Sequence, residues 1–161
     1  MPLEKLKPRD GLAAHLTVKR AEGKTIVFTN GCFDLLHVGH VRLLQAARRM
    51  GDLLVVGVNS DASVRRYKGP TRPVVSEEER AEILCALECT DYVVIFEEDT
   101  PIETIELLKP HIHVKGGDYD IRQIPEAQVV ESYGGELRAF PTVADHSTTG
   151  LIIRAAGQSG P

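Results

Sequence analysis

The chain reads as an α/β protein, a doubly wound, mainly parallel sheet of five strands with helices on both faces. Three observations predict this. Short apolar runs alternate with amphipathic stretches along the chain, the signature of strand–helix–strand units. One run, Leu53-Leu54-Val55-Val56-Gly57-Val58, is apolar without a break, as expected of a strand buried on both faces. Glycine-bearing loops follow two candidate strands, at Gly31 and at Gly116-Gly117, where open α/β sheets hold their ligands.

The elements follow in order. Residues 9 to 22 form a first helix with Leu12, Leu16 and Val18 as its apolar face, closed by Gly23-Lys24. Thr25-Ile26-Val27-Phe28 is the first strand. A loop from Thr29 to His40 leads into a helical pattern, Val41 to Met50, and then into the strand at Leu53. Asp61 is placed to cap a short helix from Ala62 to Tyr67. The basic, proline-broken segment Arg65 to Pro73 is either a solvated loop or a mobile flap that touches phosphate. Ser76 and Glu79 form a capping box for a helix running to about Glu88, with Ile83, Leu84 and Leu87 inward. Asp91 to Phe96 is a third strand, and Thr100-Pro101 starts a helix to Leu108. Ile112 to Lys115 is a fourth strand, Pro125 to Tyr133 a helix and Glu136 to Phe140 a fifth strand. Ser147-Thr148-Thr149 opens the last helix, whose apolar part is Leu151, Ile152 and Ile153, and the tail from Gly157 is expected to be disordered. No repeat and no second domain is visible, so residues 1–161 are read as one domain.

Composition narrows the class of function. A hydrophobic fraction of 42% and a charged fraction of 26% are ordinary for a globular chain. No apolar run approaches the roughly 20 residues needed to cross a bilayer, and the N-terminus lacks a signal-peptide core. A cytoplasmic enzyme with no membrane partner is expected. The net charge of −4 argues against a nucleic-acid partner. Cys32, Cys85 and Cys89 lack zinc-site spacing; Cys85 and Cys89 read as core thiols.

The loop Thr29-Asn30-Gly31-Cys32-Phe33-Asp34-Leu35-Leu36-His37-Val38-Gly39-His40 carries the chemistry. It joins a strand to a helix N-terminus, whose unpaired N–H groups suit a phosphate. Gly31 and Gly39 remove side chains where the backbone turns or meets a ligand. His37 and His40 stand one helical turn apart at the helix entrance. Alone, such a pair is equally a metal pair or a polar helix start.

The stretch Gly31 to His40 resembles the Gly-x-Phe-Asp-x-x-His-x-Gly-His signature of the cytidylyltransferase-like nucleotidyltransferases. Lys68-Gly69, Glu79-Arg80 and His146-Ser147-Thr148-Thr149-Gly150-Leu151-Ile152 match further segments of that family, over about residues 25 to 154. The resemblance implies a Rossmann-like fold and nucleotidyl transfer. Its catalytic residues would be His37, His40 and Lys68, and its nucleotide would meet Thr29, Asn30, Gly31, Cys32, Phe33, Gly39, Asn59, Ser147, Thr148 and Thr149. Within the family the segments Phe96 to Pro101 and Val114-Lys115-Gly116-Gly117-Asp118-Tyr119 resemble the adenylyltransferases that act on D-glycero-D-manno-heptose 1-phosphate. That implies ATP and a sugar 1-phosphate as substrates and ADP-heptose and pyrophosphate as products. Substrate contacts are expected at Asp34, Lys115, Gly117, Asp118 and Tyr119. A homodimer or larger assembly, and a separate sugar kinase upstream, are implied as well. Two departures from the glycerol-phosphate cytidylyltransferases, Val143-Ala144-Asp145-His146 in the late segment and Glu88 where they carry arginine, count against cytidine.

The chemistry agrees with this residue set. A phosphate acceptor is already an anion, so no general base is required, and the barrier is the meeting of two polyanions. Histidine, lysine and Mg²⁺ answer that need. Mg²⁺ is held largely by phosphates and water, so the lack of a carboxylate cluster is no contradiction, and no residue is assigned as a metal ligand. Asp34 could assist the metal, hold a substrate hydroxyl or order its own loop. The alternatives are another phosphorylated acceptor, such as glycerol 3-phosphate, ethanolamine phosphate or FMN, and a non-catalytic nucleotide sensor.

Overall fold

A computed structural model describes residues 2–118, 120–144 and 146–157. Five parallel strands, β1 (Ile26–Gly31), β2 (Leu53–Asn59), β3 (Tyr92–Phe96), β4 (Ile112–Gly116) and β5 (Glu136–Phe140), form one sheet in the order β3-β2-β1-β4-β5. The helices are α1 (Arg9–Ala21), α2 (Val38–Arg48), α3 (Asp61–Lys68), α4 (Glu77–Ala86), α5 (Ile102–Leu108), α6 (Glu126–Ser132) and α7 (Thr148–Gly157). The predicted doubly wound α/β architecture is what forms, and most elements lie within a few residues of their expected bounds.

Strand periodicity sorts the core into two layers. On one face Val27, Leu54, Val56, Val58 and Val93 pack against Leu44 and Ala47 of α2 and Ala81, Leu84 and Cys85 of α4. On the other, Ile26, Phe28, Val55 and Val94 pack against Leu12 and Leu16 of α1, Ile105 and Leu108 of α5, and Val130 of α6. Strands β1 and β2 are therefore buried on both sides, as the unbroken apolar run of β2 required.

The order of strands reverses between β1 and β4. Strand β1 runs beside β2 along its whole length, from Ile26–Leu53 to Gly31–Val58. It meets β4 at Val27–Ile112 and Phe28–His113. Beyond Phe28 side chains make the join: Thr29 Oγ1 donates to Val114 O at 2.8 Å, and buried His113 meets Asn30 Oδ1 through Nε2 at 3.1 Å. The sheet thus divides at its carboxyl edge, at the switch point where α/β folds bind ligands.

Several expectations change. Val18 is 55% exposed and lies off the inward stripe of α1. Ser60 caps α3 by accepting from Ser63 N, while Asp61 instead binds an arginine. Ile83 is 45% exposed, because Arg80, Ala81, Leu84 and Cys85 define the inward face of α4. Much of the basic segment is committed to structure: Arg65 to Lys68 close α3, and Arg72 is half-buried against Asp34. On α7, Ile153 is 65% exposed. The expected disorder of the tail falls on residues 158–161, outside the described residues; Gly157 itself closes α7.

Candidate active site

A cleft of about 850 Å³ opens at the carboxyl edge between β1 and β4. It gathers Asn30, Gly31, Cys32, Phe33, His37, Gly39 and His40 from the first loop, Asn59 from β2, Lys68 from α3, Lys115, Gly117 and Asp118 from β4 and its loop, and Ser147 before α7. Most of the residues expected from sequence therefore line one space, although they come from five separate segments.

The histidines are held by their own loop. His37 is the N-cap of α2 and its Nδ1 accepts from Gly39 N at 3.1 Å. His40 Nδ1 accepts from His37 N at 3.3 Å. The rings stack with centroids 3.9 Å apart. With each Nδ1 lone pair taken by a backbone N–H, a neutral ring carries its proton on Nε2. Burial, reinforced by His37 and Lys68, pushes His40 down to about 4. Burial and neighbouring His146 lower His37 as well. Each ring is thus an uncharged Nε2–H donor at neutral pH. Gly39 is required at its place: a Cβ there would lie 2.8 Å from the His37 ring.

Behind the loop lie two arginine anchors. Arg80 is 1% exposed, and its guanidinium donates to Val75 O, Cys32 O, Asn59 O and Asp61 Oδ1 at 2.6 to 2.9 Å. One cation thus joins the carboxyl ends of β1 and β2. Asp34 accepts from Arg72 Nε at 2.7 Å and from Val74 N and Val75 N at 2.9 Å. Burial works to raise the Asp34 carboxyl, but the donors of Val75, Val74 and Arg72 overcome it and hold it below the usual carboxylate range. Asp34 thus orders its own loop, and it is not among the residues that line the cleft. Phe33, at φ +48, holds a left-handed conformation unusual for a residue with a side chain. Its ring is buried between Gly31 and His40.

Thr29 and Thr148 lie off the cleft lining. Thr29 is fully buried in the β1–β4 join, and Thr148 Oγ1 donates to Leu35 O at 3.2 Å, docking α7 onto the histidine loop. Thr149 is exposed and does not line the cleft. Ser147 does, and its Oγ accepts from Gly150 N. Asn59 Nδ2 donates to Ser63 Oγ at 3.0 Å. Burial pushes the Cys32 thiol up, which disfavours a thiolate. Tyr119 lies outside the described residues.

Sequence reasoning missed four cleft or near-cleft residues. His146 stacks 6.4 Å from His37, and its place beside Ser147 was the available signal. Glu126 pairs with Lys115 at 3.2 Å, and Asp99 lies on the wall while holding Arg66. His113, pushed down to about 3 by burial, binds Asn30 Oδ1 and leaves the Asn30 amide nitrogen for the cleft. Among the described residues no three His, Cys, Asp or Glu side chains cluster as a metal site, and no helix is long and apolar enough to cross a membrane.

Comparison with known proteins agrees with this geometry. Residues 28–143 match the model of the cytidylyltransferase-like family. The "Bifunctional protein HldE" of Syntrophotalea carbinolica is 59% identical over 93% of the chain, and that of Pelobacter propionicus is 60% identical over 93%. The chain spans about 31% of the length of each. A solved lipopolysaccharide core biosynthesis protein from Thermoplasma volcanium is 28% identical, with a TM-score of 0.61, over 75% of this chain and 98% of its own. A pantoate-beta-alanine ligase from Francisella tularensis, at 15% identity and a TM-score of 0.58 over 90% of this chain and 75% of its own, shares the fold alone. A parallel sheet that divides above a paired-histidine loop, with the family model spanning both, means that the chain belongs to the cytidylyltransferase-like family and is a nucleotidyltransferase.

Proposed function

We propose that the protein transfers AMP from ATP to a sugar 1-phosphate, with D-glycero-D-manno-heptose 1-phosphate as the acceptor, giving ADP-heptose and pyrophosphate. The observation that carries this is the pair of Nε2–H donors, each fixed by a backbone N–H on its Nδ1, at the mouth of a cleft large enough for two ligands. The segment Val114 to Asp118 and the Thermoplasma volcanium relative, named for lipopolysaccharide core biosynthesis, support a sugar acceptor.

An oxygen of the acceptor phosphate attacks the α-phosphorus of ATP in line. The bond from that phosphorus to the bridging oxygen breaks, and pyrophosphate leaves with its electrons. The attacking oxygen carries no proton at neutral pH, so no side chain needs to remove one. His37 and His40 donate to phosphate oxygens, and their contribution grows as charge moves onto the leaving group. Lys68, exposed on the wall at the end of α3, adds a positive charge. The lining fits Mg²⁺ held mainly by the substrates' phosphates, with Asp99 and Asp118 as the exposed carboxylates among the lining residues, and such an ion would supply further charge neutralisation. An upstream kinase must supply the sugar 1-phosphate.

Pyrophosphate release from ATP, GTP, CTP and UTP, each with a small set of phosphorylated acceptors, tests the proposal. Turnover is expected with ATP and the heptose 1-phosphate. Preference for CTP with glycerol 3-phosphate, or release from no pair, would overturn it.

A further inference from the structure

Lys115 stands next to last in β4 and Glu126 opens α6, and their charged groups meet in the lining of the cleft. The Glu126 side chain is 4% exposed. Its Oε1 accepts from Lys115 Nζ, whereas its Oε2 is buried with no donor among the described residues. A buried carboxylate oxygen without a donor is unfavourable, and a ligand that supplies one recovers that cost. The chemistry of the missing partner is restricted. A phosphate is an anion without a proton to give, and the carboxylate repels it. An ammonium group meets Lys115. A hydroxyl donates to Glu126 and accepts from Lys115, and two adjacent hydroxyls do both at once. Gly116 and Gly117 in the same wall let a sugar ring approach the backbone.

We propose that Lys115 and Glu126 form a hydroxyl-reading subsite, in which Glu126 Oε2 accepts from one hydroxyl of a bound sugar and Lys115 Nζ donates to the next. The inference rests on the cleft being the nucleotidyl-transfer site proposed above. It narrows the expected substrate contact of Lys115 to a sugar hydroxyl. The sugar is either the ribose of the nucleotide or the acceptor's own ring, and the experiment separates the two.

Calorimetric titration of the intact chain with ATP, 2′-deoxyATP and 3′-deoxyATP, wild type against Glu126→Gln, reads the ribose. Michaelis constants for the sugar 1-phosphate and its singly deoxygenated analogues read the acceptor. One ligand should lose at least about tenfold in the variant, and discrimination between it and its deoxy analogue should shrink to within about twofold; ribose or acceptor is identified by which ligand responds. An equal loss for hydroxylated and deoxy forms makes Glu126 a structural residue and overturns the proposal, as does no loss for either ligand. Should Glu126→Gln fail to fold, the pair is replaced together by near-isosteric apolar residues in Lys115→Met/Glu126→Leu, a change that buried ion pairs tolerate, and the same criteria apply. Wild-type protein that binds neither ligand overturns the functional proposal and this inference together. Wild-type turnover with undisturbed discrimination in the variant overturns this inference alone.

Discussion

The two banks of the cleft are built differently. On the β1 side the histidine donors are positioned by backbone N–H groups of their own loop, and the loop is anchored by half-buried Arg72 and fully buried Arg80. On the β4 side the groups are charged and only partly satisfied: Glu126 keeps an open oxygen, and exposed Asp118 accepts from Thr142 N at a long 3.4 Å. The first bank is rigid, nearly neutral chemistry suited to any triphosphate. The second is charged and adaptable, and suits the reading of one particular ligand. Function that is common to a reaction class and function that chooses a substrate thus sit on opposite sides of one split in the sheet.

The sharpest way to break this division is Arg80→Met. It leaves Asp61 and the carbonyls of Cys32, Asn59 and Val75 without their shared donor. A loss of roughly 3–5 kcal/mol is expected, as for other broken buried pairs, read from urea unfolding. His40→Ala comes next, with kcat for pyrophosphate release lowered by about 10²- to 10³-fold in a protein that still melts cooperatively. A retained kcat would place the first bank outside the reaction.

Acid distinguishes the banks more gently. His40 and His113 are neutral in the fold, pushed down to about 4 and about 3, while the unfolded chain binds protons on both below about 6.5. The unfolded state therefore holds more protons through this window. The stabilisation is complete above about pH 6.5 and is lost progressively as the pH falls, through about 4 for His40 and about 3 for His113. Melting temperatures across pH 7.5 to 4 should show that decline, and His113→Gln should flatten part of it. The smallest effect on stability belongs to the second bank. Asp118→Asn should stay within about 0.5 kcal/mol of wild type, as surface changes do, while raising KM for the acceptor more than for ATP.

The same contrast explains what could be read from the chain. The histidine pair was legible because its anchors, Gly39 N and the His37 N–H, lie inside the segment that names it. The strands were legible from unbroken apolar runs, and α4 from its Ser76–Glu79 capping box. The role of Asp34 was not, because its partners lie some 40 residues further on, at Arg72, Val74 and Val75. From sequence, the segment Arg65 to Pro73 stands open between a solvated loop and a flap for the same reason: nothing local announces that Arg72 pairs with Asp34 or that Arg66 is tied to Asp99. Glu126 carried no signal, since its meaning arises only when α6 sets it beside Lys115.

The parting of β1 from β4 has a thermodynamic consequence. Past Phe28 and His113 two side-chain bonds continue the join, so the fold leaves an edge that a bound molecule can bridge. A ligand that touches both banks binds the folded chain and not the unfolded one, and mass action turns its affinity into stability, about 2.7 kcal/mol at a hundred times its dissociation constant. The protein is in this sense its own reporter: the cleft's proper occupants are those that raise its melting point, and two occupants that bridge the gap together raise it by more than either does alone.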